Sequence, residues 1–142
     1  NEVLWKENAL LQNRLQETNE NPGQRFLEFY SADTASELLK IPLAELLLIK
    51  SADNYIEIYY RDDNTTRKKL VRNTLKTAEQ LLKPYAQFLR CHRTCIVNIL
   101  YIDKLHFKAD SSFIKVREME EPIPVSRQYL LKLKEAIALR QG

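Results

Sequence analysis

Apolar and polar positions follow a helical period at the start of the chain and a strand period over most of the remainder. Between residues 2 and 19, Leu4, Leu11 and Leu15 recur at heptad spacing, and Asn8 falls on the same seam between leucines. That spacing predicts a helix. An asparagine at a core position of a coiled coil favours a parallel pair, because it bonds its twin. With fewer than three heptads, a linker helix packed on its own domain is the other reading. Asn19, Asn21, Pro22 and Gly23 end the segment. The expected organisation is therefore a coiled-coil or linker helix over 1–21 and a second domain over 24–142.

From Gln24 onward the pattern becomes one of short strands. Phe26 to Tyr30, Leu38 to Ile41 and Leu46 to Ile49 are apolar, with a kink at Pro42. Tyr55 to Tyr60 is strongly β-prone, Arg61 to Thr65 forms a polar turn, and Arg67 to Asn73 returns as its hairpin partner. A short helix is expected over Thr77 to Leu82, closed by Pro84. Phe88 to Val97 fits either strand or short helix. Lys104 to Lys108 alternates, which directs Leu105 and Phe107 inward. A turn at Ala109 to Ser112 leads to a strand burying Ile114 and Val116, and Glu118 to Glu121 turns the chain again. Pro122 and Pro124 keep the next segment extended. A final helix after Ser126 buries Leu130, Leu133 and Ile137. The body is mainly β, with one minor helix and one C-terminal helix.

Composition narrows the function classes. The chain has 142 residues, of which 44% are hydrophobic, and no apolar run approaches the roughly 20 residues that span a bilayer. It begins at Asn1 and shows no signal peptide, so it is expected to be a fragment of a longer protein. Two cysteines do not make a secreted disulfide scaffold, which points to a reducing cytoplasm. Net charge is +3, but unevenly spread. Residues 1–63 carry 6 Lys/Arg against 12 Asp/Glu, and residues 64–142 carry 16 against 7. A half that basic suits either a polyanionic partner or a solvated face.

Enzymatic chemistry finds little support. Two histidines, no clustered carboxylates, no glycine-rich phosphate loop and no nucleophile elbow indicate no catalysis and no cofactor. Cys91, His92, Cys95 and His106 are the one conceivable zinc set; they lack a second pair at finger spacing, and buried apolar thiols explain them better. The informative cluster is Arg90-Cys91-His92-Arg93-Thr94-Cys95-Ile96-Val97-Asn98, where basic and polar side chains interleave with apolar ones. One edge of such a segment can anchor in a core while the other meets phosphates or bases. Arginine suits guanine because its planar fork matches two acceptors at once. Surface charges at Arg90 and Arg93 and a turn-forming Asn98 are the equally open alternative. A second cluster, Ile123 to Tyr129, places Ser126 as a helix N-cap and Arg127 at the helix start. A cation there opposes the helix dipole unless an anion binds beside it.

These two clusters, in this order, resemble the LytTR family of bacterial DNA-binding domains. Ala52-Asp53-Asn54-Tyr55 and Thr74-Leu75-Lys76 add to the likeness, which covers about Gln24 to Leu139. The resemblance implies an elongated stack of small antiparallel sheets presenting loops to successive major grooves of duplex DNA. Carried over by position, the DNA-binding residues would be Asn54, Tyr55, Arg90, His92, Arg93, Thr94, Ser126 and Arg127. Arg93 and Arg127 would meet base edges or adjacent phosphates, and Asn54 or Tyr55 a base at the other end. Ser126 would both cap the helix and touch the DNA backbone. Asn98 would hold a turn, and Lys68, Lys69 and Arg72 would add attraction without sequence preference. The Glu118 to Glu121 turn departs from expectation, since it lacks a glycine and sets acids near the last strand.

The reading is thus a cytoplasmic, sequence-specific regulator of transcription, the effector domain of a response regulator. It would bind double-stranded DNA half-sites as a homodimer through the N-terminal helix. A sensor or membrane segment upstream would tether it. The alternative is a non-enzymatic β interaction module that docks an acidic protein.

Overall fold

Four consecutive apolar residues, Leu46 to Ile49, set the architecture. The computed structural model describes residues 25–33, 37–108 and 111–141. The expected helix over 1–21, and with it the domain boundary, lies outside the described residues, as do Ala109 and Asp110. Leu46, Leu47, Leu48 and Ile49 are each at most 1% exposed, which requires apolar layers on both faces of their strand.

The strands are β1 (Phe26–Tyr30), β2 (Glu37–Pro42), β3 (Leu46–Ala52), β4 (Tyr55–Asp62), β5 (Thr65–Val71), β6 (Phe88–His92), β7 (Cys95–Asn98), β8 (Ile102–His106), β9 (Ser112–Val116) and β10 (Ile123–Val125). Two helices, α1 (Leu75–Leu82) and α2 (Arg127–Gln141), complete the described elements with two 3-10 turns, Leu43–Glu45 and Ile99–Tyr101. The central sheet has the order β5-β4-β3-β7-β6; β1-β2 and β10-β9-β8 form two smaller sheets. Every pairing is antiparallel. The mainly β body with small antiparallel sheets and a C-terminal helix is the expected one.

Two cores flank the central sheet. On one side Leu46, Ile49, Ile56, Ile58 and Ile96 pack with β1, β2 and α1. On the other, Leu47, Leu48, Cys91, Cys95 and Val97 pack with β8, β9, β10 and Leu133 of α2. A bulge sorts the leucines: Leu46 pairs with Tyr60 and Leu48 with Tyr59, so Leu47 is the extra residue. It therefore joins Leu48 on the same face, which strict alternation would forbid.

Local chemistry explains most boundaries. Asp63 and Asn64 sit at φ 57° and 68°, a two-residue hairpin turn whose twist matches the flanking strands. Pairing therefore continues through Asp62↔Thr65, and the expected turn from Arg61 to Thr65 shrinks to its middle pair. Helix α1 starts at Leu75, two residues before expectation, because the Thr74 hydroxyl accepts the Thr77 N–H at 3.1 Å. Phe88 to Asn98 resolves as a hairpin, β6 and β7 around Arg93-Thr94. Asn98 is fully buried; its amide donates to Leu46 O at 2.8 Å and accepts from Leu100 N–H at 3.1 Å. It holds the turn.

One expectation fails, and another holds with less burial than expected. Phe107 lies beyond the end of β8 and is 49% exposed, with the Lys134 ammonium 4.2 Å from its ring centroid. Its strand stops at His106, so alternation no longer governs it. In α2 the expected face does meet the core: Leu133 is fully buried, and Leu130 and Ile137 pack beside it half-buried. The glycine-free turn is also explained. Glu118 takes φ 70°, a left-handed conformation disfavoured for a residue with a Cβ. Its carboxylate accepts from the Thr66 hydroxyl at 2.9 Å and forms an ion pair with Arg61, whose Nε lies 3.1 Å away without a hydrogen bond, and these two contacts favour that conformation.

Candidate nucleic-acid interface

Strand direction collects three turns at one end of the central sheet. β3 finishes and β4 begins at Asp53-Asn54, where Asp53 takes φ 59°. The Ser51 N–H donates to Thr94 O at 2.9 Å, extending β3 along β7 into the β6–β7 turn. On the other side of that turn the Ser126 N–H donates to Cys91 O at 2.9 Å, which docks the start of α2 on β6. The order along this end is Asn54 and Tyr55, then His92 to Thr94, then Ser126 and Arg127. Counting from β4 across β3 and β7 to β6, the strands of the first two turns span three inter-strand spacings, on the order of 15 Å, and the start of α2 lies about one spacing beyond β6. The Asn54 turn is therefore a neighbour of the arginine loops and not at a separate end of the scaffold. Glu118, paired with Arg61, belongs to the opposite end of β4.

Each expected residue has a definite setting. Asn54 and Tyr55 are exposed, and the Arg72 guanidinium lies 5.8 Å from the Tyr55 ring centroid. Arg93 and Arg127 are exposed, and neither side chain has a hydrogen-bond or ion-pair partner among the described residues. Thr94 and His92 are half-buried and bonded to each other. His92 Nδ1 lies 2.8 Å from Thr94 Oγ1 and accepts the Thr94 N–H at 3.3 Å. A backbone N–H can only donate, so Nδ1 carries no proton and Nε2–H is the donor of the neutral ring.

Arg90 differs from the others. Its side chain is 18% exposed and its guanidinium reaches Glu79 of α1 at 2.6 Å and the carbonyl of Arg93 at 2.7 Å. Its Nε is buried without a partner. Arg90 therefore braces the β6–β7 turn from within, and it is occupied where Arg93 is not. Glu79 carries no signal in the sequence, because the contact joins a helix face to a strand whose conformation was ambiguous.

Ser126 also departs from expectation. Its hydroxyl makes no hydrogen bond among the described residues; the first turn of α2 closes instead through the Tyr129 N–H donating to Ser126 O at 3.0 Å. The docking bond to Cys91 fixes the backbone there, and the hydroxyl is left to solvent or ligand.

The thiols are structural. Cys91 and Cys95 are fully buried, their Sγ atoms 3.8 and 3.9 Å from the carbonyls of Cys95 and Ile96. The neighbouring Cys91 thiol and burial together push the Cys95 thiol well above its usual range. Among the described residues no three His, Cys, Asp or Glu side chains gather as metal ligands.

The model of the LytTr DNA-binding domain matches residues 36–138. The chain belongs to the LytTR family. Among LytTR-containing proteins and their kin, it is 28% identical over 119 residues to the sensory transduction protein LytT of Bacillus anthracis, covering 79% of this chain and 48% of that one. It is 26% identical over 126 residues to an uncharacterised response regulatory protein of Vibrio cholerae, covering 88% and 48%. It is 24% identical over 117 residues to the transcriptional regulatory protein BtsR of Escherichia coli, covering 82% and 46%. The chain thus spans about half the length of these curated relatives. The solved LytTr DNA-binding domain of a Bacillus cereus response regulator superposes with a TM-score of 0.57 at 21% identity, over 80% of this chain and 96% of that one. That likeness establishes the LytTR fold. No described helix is long and apolar enough to cross a membrane.

Proposed function

We propose that this LytTR domain is the effector part of a transcription regulator and reads double-stranded DNA sequence-specifically through the row of three turns. The observation that carries the reading is the pair of exposed, unpartnered guanidiniums, Arg93 and Arg127, on neighbouring turns fixed by backbone hydrogen bonds. Turns held this way lose little backbone freedom on binding, and an unpartnered guanidinium can fork onto guanine or a phosphate. A row on the order of 20 Å long crosses a groove and meets the backbone on either side. In this reading Arg93 and Arg127 contact base edges, with Asn54 or Tyr55 adding a base contact. Thr94, Ser126 and the His92 Nε2–H contact backbone, and Arg90 positions the middle turn. Each copy reads one half-site, two copies pair through residues 1–21, and an upstream sensor or membrane segment delivers the signal inside the cell.

Selection of bound duplexes from a random pool tests the reading directly. The expected result is an enriched motif. Arg127→Ala should weaken binding to that motif by about 1–3 kcal/mol and relax the preference at one position. A pool that stays unenriched, with binding that depends only on salt, would replace the regulator with a module that docks acidic partners.

A further inference from the structure

Beside the row of turns, Arg72 is held by a carboxylate. It follows β5 directly, and its backbone is pinned because the Ala32 N–H donates to Arg72 O at 2.8 Å and Asn73 Nδ2 donates to Tyr30 O at 2.9 Å. The turn after β1 is thereby fastened to the start of the β5–α1 connection. Asp33 comes from that turn; its N–H donates to Ser31 Oγ at 3.3 Å, and its Oδ1 lies 3.0 Å from Arg72 Nε. Both side chains are about half exposed, at 46% and 52%. The two terminal nitrogens of Arg72 have no partner among the described residues. The same guanidinium lies 5.8 Å from the ring centroid of Tyr55, at the edge of the row.

We infer that Arg72 is a fourth anchor of the interface, a phosphate contact, and that Asp33 is its internal competitor. The inference rests on the DNA-binding reading above and adds a partner exchange to it. A carboxylate bound to one nitrogen of an exposed guanidinium is a weak, solvent-screened partner. A phosphate can take the two vacant nitrogens as a fork and gains from counterion release as well. Duplex DNA laid along Asn54 and Tyr55 brings its backbone to Arg72, which then leaves Asp33. Until then Asp33 masks the charge, so binding to arbitrary duplex is weaker than the basic half of the chain would otherwise give. Asp33 and β1 precede the residues matched by the family model, which start at 36.

The test uses the full chain with two probes, a duplex selected by the wild-type protein and a random-sequence duplex of equal length. Arg72→Ala should weaken both by similar factors and reduce the slope of log affinity against log salt by about 0.9. Asp33→Asn should tighten both, by roughly two- to five-fold, the range expected for losing one exposed ion pair. In the Arg72→Ala background Asp33→Asn should do nothing. An unchanged salt slope in Arg72→Ala overturns the phosphate contact. Equal tightening by Asp33→Asn in both backgrounds overturns the exchange, since plain repulsion by Asp33 would then suffice. If wild-type protein binds neither probe, the DNA-binding reading falls first, and this inference with it.

Discussion

Arg90 and Arg93 are three residues apart in one basic cluster, and their settings are opposite. Arg90 is tied to Glu79 and to the carbonyl of Arg93, whereas the Arg93 side chain stands exposed. A brace and a reader give different salt responses, because only a side chain that neutralises a phosphate releases counterions. Arg90→Gln should lower thermal stability by about 1–2 kcal/mol, the scale of a charged hydrogen bond in a partly exposed site. It should also weaken selected DNA several-fold while leaving the salt slope unchanged. A slope reduced by about 0.9 would instead make Arg90 a phosphate contact. The buried thiols nearby give a second residue-level outcome. The adjacent Cys91 thiol and burial push the Cys95 thiol well above its usual range, and the thiolate is the reactive form. Alkylation of the native protein should therefore proceed only as fast as it opens, and reach full rate in denaturant. Prompt labelling of the folded protein would show that the hairpin is less closed than its geometry. The sign also sets a pH trend: an acid whose folded pKa is raised contributes stability that declines as pH climbs past the ordinary thiol range.

At the scale of elements, α2 shows how the site depends on packing well away from it. One end of the helix carries Arg127; the other end is clamped by Arg140, which donates to Ile99 O and, at 2.6 Å, to Ile102 O. Between them Leu133 is fully buried, whereas Leu131 and Leu139 are 66% and 78% exposed. Leu133→Ala should cost about 2–5 kcal/mol, measured by chemical denaturation, and DNA affinity should fall with it as the helix start loosens on β6. Full affinity in a destabilised variant would mean that the Ser126–Cys91 bond suffices to place Arg127. Period-two segments such as Tyr55 to Tyr60 were legible in the sequence, because each buries one face. Phe88 to Asn98 was not, since Cys91 and Cys95 bury beside polar neighbours and a two-residue turn interrupts the period. The three turns were singled out through resemblance to LytTR domains, not through periodicity. Their adjacency was hidden, because it depends on hydrogen bonds between Ser51 and Thr94 and between Cys91 and Ser126, far apart in the chain.

For the whole molecule, the length of the row limits what one copy would read in the proposed mode. About four strand spacings, on the order of 20 Å, are well short of a helical turn of duplex, about 34 Å. A longer specific site therefore calls for two copies, and two copies gain from being joined, because the second then binds at a high effective concentration. The heptad-spaced Leu4, Leu11 and Leu15 with Asn8 offer the means. Removing residues 1–21 is expected to leave a folded monomer in sedimentation experiments. It should also turn cooperative occupation of paired half-sites into independent occupation, with single half-site affinity kept. An unchanged mass would assign the segment to linking alone and place any pairing surface on the β body. Lost single half-site affinity would instead show that the segment supports the fold, since none of the residues in the three turns comes from it.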